Sequence, residues 1–190
     1  MGSIICEEMM QNDAAFVVIE GKAEVVASMD RDILFLQGDA TQDAVLKEAG
    51  IEMAGSLISV LSSDASNLYV VLSARELNPK LRIVTRATDE GAEQKLLRAG
   101  ADSVVLPYYI GGLKIAHSLI KPAVVDFIEF AARSRNLGLQ IEEIYIKDDS
   151  NIIGRSLDEQ RILKESGMII IAINRATGEI EFNSDSTSVI

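Results

Sequence analysis

The 190-residue sequence has one cysteine, one histidine, three prolines and no long apolar run. Each shortage excludes something. Cys6 has no second cysteine to pair with, so there is no internal disulfide, which fits a reducing cytosol. Runs such as Met168–Ile173 fall far below the ~20 residues that cross a bilayer. Residues 1–15 carry three acids and no base, unlike a signal peptide. A soluble, cytosolic chain is expected. Bases are scarce too: 18 Lys and Arg against 29 Asp and Glu give a net charge of −11, the wrong sign for nucleic acid or an acidic lipid surface. The single histidine, His117, lies mid-helix among Ile115, Ala116 and Leu119, where a core or interface place is expected rather than catalysis. Cys6, in a helical pattern, is expected to pack rather than react.

Apolar residues, by contrast, are abundant at 48%. With 25% charged residues, that balance suits parallel strands buried on both faces. From residue 16 to 106 short β-branched runs recur at Phe16–Ile19, Ile33–Leu36, Leu57–Leu61, Arg82–Ala87 and Ser103–Leu106. Helical patterns separate them at Ala23–Met29, Asp43–Ala49, Asn67–Leu77 and Glu90–Ala99. In the last, Leu96, Leu97 and Ala99 are read on one face. Gly50 and Gly100 each follow an alanine at a helix end, where glycine supplies a left-handed residue. Strands alternating with helices predict one doubly wound parallel α/β sheet.

The rhythm breaks after Pro107. Ile110–Ile120 and Ala123–Arg133 read as two helices parted by Lys121-Pro122. The second carries Val124, Val125, Phe127, Ile128, Phe130 and Ala131 on a broad apolar surface. It is either a terminal helix on its own sheet or an arm crossing to another subunit, and its breadth favours the arm. After residue 137 a small α+β unit is expected. Its parts are a strand at Gln140–Ile146, a capping box at Ser156–Glu159 opening a helix to Lys164, a strand at Met168–Asn174, and a hairpin turn at Arg175–Gly178 into Glu179–Phe182. The division predicted is 1–109, 110–136 and 137–190.

Candidate ligand residues fall at strand ends. Glu20 closes the first run 18 residues after Gly2, close to the ~20 that separate a dinucleotide glycine motif from its ribose-binding acid. Gly2-Ser3 enters a helix as the phosphate turn of such a motif does. In Gln37–Thr41, Asp39 or Thr41 is placed to cap the next helix, and Asp39 and Ala40 to border a base. Ser62 leaves the third run at the same edge, Asn67 lies one turn into its helix, and Arg86 is the cation placed to meet phosphates.

Taken together, FVVIE, GDAT-x4-LKEAGI, SVLSSDASN, ARELNPKLRIVTRA and LRAGADSVVLPYYIGG resemble the RCK (KTN, or Trk-type) domains that regulate potassium channels and transporters. The later blocks IIGRSLDEQRI and GMIIIAINR resemble that family's C-terminal half. The family pattern opens with a strand and GxGxxG, of which the last glycine and its helix are present as Gly2-Ser3-Ile4-Ile5. A missing first strand would leave open edges in the sheet and weaken the phosphate turn. The resemblance implies a Rossmann-like nucleotide lobe, a helical dimerisation arm and a small C-terminal domain. It implies an adenine nucleotide, NAD(H) or ATP/ADP, held by Gly2, Ser3, Glu20, Asp39, Ala40, Thr41, Ser62, Asn67 and Arg86. It also implies a homodimer assembling into a ring beneath a potassium channel or transporter pore, on the same chain or a separate one, at the inner face of the membrane. No calcium site of the family's type is expected, because Arg86 and Thr88 stand on the strand where calcium-gated members place acids. A dehydrogenase fragment or a ligand-free scaffold are the alternatives. Arg155, Asn174 and Arg175 are candidates for a ligand of the small domain, but a plain surface role is the stronger expectation for all three.

Overall fold

Val18–Glu20 (β1) runs parallel to Phe35–Gln37 (β2), with Glu20 opposite Gln37. Ser56–Ser59 (β3), Arg82–Arg86 (β4) and Ser103–Val105 (β5) form a second parallel piece in the order β3-β4-β5. These come from a computed structural model that describes residues 1–133, 144–147, 150, 152–157, 170–177, 179–182 and 188–189. Between the strands lie α2 (Ala23–Ala27), α3 (Asp43–Glu48), α4 (Asp64–Leu77) and α5 (Glu90–Arg98), with α1 (Gly2–Gln11) ahead of β1. The expected alternation and parallel pairing are therefore present. The expected single sheet is instead two pieces, in which β1 pairs only with β2 and β3 only with β4 among the described residues. Each piece thus has an unpaired strand edge at β1 and at β3. Neither strand carries the Lys, Pro or bulge that blunts an exposed edge.

Both pieces feed one core. Leu46, Val71, Leu81, Ile83 and Leu96 are buried in a cluster against which Ile19 of β1, Leu57 of β3 and Val104 of β5 pack. In α5 Leu96, at 1% exposure, and Ala92 face it, while Leu97 is 44% exposed. Adjacent helical residues lie about 100° apart, so the single face expected for the two leucines does not exist. Gly50 (φ +85°) and Gly100 (φ +107°) do close α3 and α5 in the left-handed conformation. The amides of Ile51 and Ala101 then reach back to Leu46 O and Leu96 O, each at 3.1 Å. The helix expected from Asn67 begins earlier, at Asp64, because Ser63 Oγ accepts the Ser66 amide and starts it.

α6 (Pro107–Ile120) and α7 (Pro122–Arg133) follow, each opened by proline as N1 geometry favours. The first starts three residues before the expected Ile110. His117 is exposed on it, so the core place considered for it is not observed within this unit. Met1–Phe127 and Ile128–Ile190 separate as two compact units.

In the second unit, Ala172–Asn174 (β6) and Ile180–Phe182 (β7) pair antiparallel as the expected hairpin, and Arg175 N donates to Glu179 O at 2.8 Å. Ser156 bridges to Val189, and Leu157 is buried. Residues 144–147 are not a strand, contrary to the reading of Gln140–Ile146. Short of residue 144, that reading lies outside the described residues, as does the helix expected beyond Leu157.

Candidate functional site

Two groups of the expected residues form, one on each sheet piece. At the carboxyl ends of β1 and β2, Gly38 N donates to Glu20 O at 3.1 Å, which brings Glu20 beside Asp39, Ala40 and Thr41. The Glu20 carboxylate accepts the Lys22 amide at 2.9 Å. Asp39 Oδ1 accepts both the Thr41 amide (2.9 Å) and the Thr41 hydroxyl (2.8 Å). Those bonds, the amide first, hold the Asp39 pKa below its usual value. This local turn replaces the expected cap: the residue before α3 is Gln42, and no side chain caps that helix. Gly38 sits in close approach to α3: a Cβ there would lie 3.0 Å from Val45 Cγ1.

The second group lies at the carboxyl ends of β3 and β4. Asn67 is fully buried. Its Oδ1 accepts the Ser59 hydroxyl and the Leu61 amide, both at 2.9 Å. Its Nδ2 donates to Leu61 O at 3.2 Å and Arg86 O at 3.4 Å. Arg86, 8% exposed, donates from Nε to Leu61 O (2.8 Å) and from Nη2 to Ser62 O (2.6 Å). Ser62, Asn67 and Arg86 are thus one hydrogen-bonded unit that fixes the turn between β3 and α4. The remaining candidates, Gly2 and Ser3, are exposed at the start of α1, and a Cβ on Gly2 would meet nothing within 4 Å. No tight turn is built around that glycine.

In the second unit, Arg175 donates to Glu181 and to Val189 O, and Ser188 donates to the same Glu181 carboxylate. These bonds tie Arg175 to β7 and to Val189.

The sequence reading missed Arg75 and Asp102. Arg75 donates to Gly100 O, Pro79 O and Leu81 O and pairs with Asp102 at 2.9 Å. Asp102 accepts the Ile83 amide at 2.6 Å. That amide, then Arg75, lowers the Asp102 pKa against the opposing effect of burial. No spacing rule signals an arginine in the last turn of a helix whose partners lie as far as 25 and 27 residues away.

The TrkA-N domain profile matches residues 1–107. The chain belongs to the TrkA-N domain family. "Potassium channel protein 1" of Methanocaldococcus jannaschii is 35% identical over 178 residues, 92% of this chain and 53% of that protein. The TrkA-N chain therefore spans about half the length of this relative. A "Trk system potassium uptake protein TrkA homolog" of Pyrococcus abyssi is 26% identical over the whole chain and 83% of its own. Among solved structures, the GsuK channel matches with a TM-score of 0.57 and 28% identity over 64% of this chain and 32% of that one. Its NAD-bound form, at 24% identity and a TM-score of 0.52, covers 96% of this chain and 31% of that one and agrees in fold alone. The family resemblance and the Rossmann-like fold expected from the sequence both hold. No helix among the described residues is long and apolar enough to cross a membrane.

Proposed function

We propose that this TrkA-N chain is an RCK-type regulatory domain that binds an adenine nucleotide and, through rearrangement of paired copies, gates a potassium channel or transporter. The observation that carries the reading is the clustering of the candidate residues at strand carboxyl ends, where open α/β sheets bind ligands. Glu20 and Asp39 lie there on one piece, and Asn67 and Arg86 on the other. NAD(H) is one candidate ligand, supported by the NAD-bound structural neighbour, and ATP or ADP is the other. The division of labour is a nucleotide lobe at 1–109, an arm at 110–136 and a C-terminal domain at 137–190.

The arm supports pairing of two copies. Within the first unit Leu119 is 86% exposed and Phe127 61%, and Ile115 and Ile120 are exposed with them. Such a surface is larger than isolated apolar residues explain and suits a protein interface. The pore is reached through this assembly, at the inner face of the membrane, on the same polypeptide or as a separate subunit. A ligand moves such an assembly only by binding its two arrangements unequally.

Sedimentation equilibrium with and without NADH, ATP or ADP tests the reading. A dimer or larger assembly is expected. A strict monomer under every condition contradicts it.

A further inference from the structure

We propose that Gly111 and Gly112 are a joint built into α6, about which the arm changes its angle to the nucleotide lobe. The joint's place in regulation rests on the reading above; the bending itself does not. Both glycines lie inside a helix of 14 residues, one turn after its start at Pro107. Glycine in a helix interior is less stable than alanine, because more backbone freedom is lost on ordering it. Steric need does not explain the pair. A Cβ on either glycine would meet no described atom within 4 Å. Neither has the left-handed backbone that calls for glycine at Gly50 and Gly100. Backbone freedom is the property left.

The pair also stands at a boundary in packing. On its near side the helix is tethered. Leu106, the residue before it, packs against the core of the first unit, and Pro107 is half-buried. The Ile110 amide donates to Leu106 O at 3.0 Å. On the far side every residue from Gly112 to Val124 is exposed, Ile115 to 76% and Leu119 to 86%. Burial thus holds α6 at its foot. Sharp bends in helices occur at such pairs of small residues, and a stretch without buried contacts opens at low cost.

The foot of α6 adjoins the candidate ligand edge. Val105 of β5 pairs with Arg86 of β4, and its carbonyl accepts the Ala87 amide at 2.9 Å. α6 begins two residues later. A ligand that shifts the ends of β4 and β5 therefore shifts the helix foot. If the apolar surface beyond the glycines is held by a second copy, the angle between lobe and arm has to change. A few residues with free φ and ψ absorb such a change, and the glycine pair is placed to do so.

Pulsed electron resonance on the full chain tests the joint. Spin labels at Gln94→Cys in α5 and Ser118→Cys in the far half of α6, in a Cys6→Ser background, report the lobe-to-arm distance. Dilution with unlabelled protein restricts the reading to distances within one copy. Without ligand, Gly111→Ala/Gly112→Ala is expected to give a distance distribution about twofold narrower than the chain with both glycines, because alanine restricts the backbone. Equal widths overturn the inference. Alanine suits an exposed helix interior, so the variant is expected to fold. Sedimentation of the same two proteins excludes the other use of small residues. If the alanine pair turns an assembly into monomer, the glycines serve close contact between copies and the joint is overturned. With NADH, ATP or ADP added, the distance should shift in the chain with both glycines and stay fixed in the alanine pair. If the chain with both glycines is monomeric and binds none of the three, the reading above fails, while the ligand-free widths still decide the joint.

Discussion

Arg75 ties three carbonyls and one carboxylate to the last turn of α4, and so closes the β3–β5 half of the first unit. Removing it strands the carbonyls of Gly100 and Leu81 in a half-buried place. Arg75→Ala is therefore expected to lower unfolding free energy by about 2 kcal/mol, after discounting for partial solvent screening. Urea denaturation reads this directly. Its partner Asp102 sets a pH signature. Because its pKa is lower folded than unfolded, its contribution is complete above the unfolded value, about 4. It is lost as pH falls from there through the folded value. Wild type should exceed Asp102→Asn in urea midpoint at pH 6, with the gap narrowing by pH 3. A gap independent of pH would show that the carboxylate charge contributes nothing. Neither residue was legible in the sequence, since their bonds join segments far apart along the chain. Ser62 and Arg86 stand out in the sequence because they lie at or just past strand ends, and Asn67 because it lies in the first turn of the helix after β3. Their mutual bonds do not.

Helix ends were the most readable elements. Both alanine-glycine steps are left-handed helix stops, but they differ in surroundings. A Cβ on Gly50 would meet nothing within 4 Å, whereas one on Gly100 would lie 3.0 Å from Arg75 Cγ and 3.1 Å from its Nε. Gly50→Ala should cost about 1 kcal/mol from backbone strain alone. Gly100→Ala should cost more, because it also displaces Arg75. Thermal unfolding of the two variants compares them, and equal losses would mean the contact yields freely. Strand ends were misplaced by one or two residues and α4 by three, since apolar runs continue past the point where pairing stops. The direction of Leu97 was misread for a related reason: periodicity over seven residues cannot separate neighbours on a helix. The exposed apolar residues of α6 and α7 were legible as apolar surplus. Leu119→Asp with Phe127→Asp is expected to convert the assembly to monomer in sedimentation while leaving the β3–β5 core folded.

Across the whole molecule, fold class followed from alternation of strand and helix, and parallel pairing followed from apolar runs without polar alternation. The split into two sheet pieces was not legible, because the alternating runs predicted one sheet. Family membership rests on blocks whose physical work is now visible. Gly38 and Asp39 shape the turn before α3, and Gly100 and Asp102 anchor Arg75. Such blocks identify a scaffold, while function depends on what that scaffold holds. The most direct measurement is calorimetric titration of the full chain with NADH, NAD, ATP and ADP. Saturable binding of at least one, near one site per chain, is the predicted result. Absence of binding for all four would contradict the nucleotide-regulated account and leave an assembly scaffold in its place.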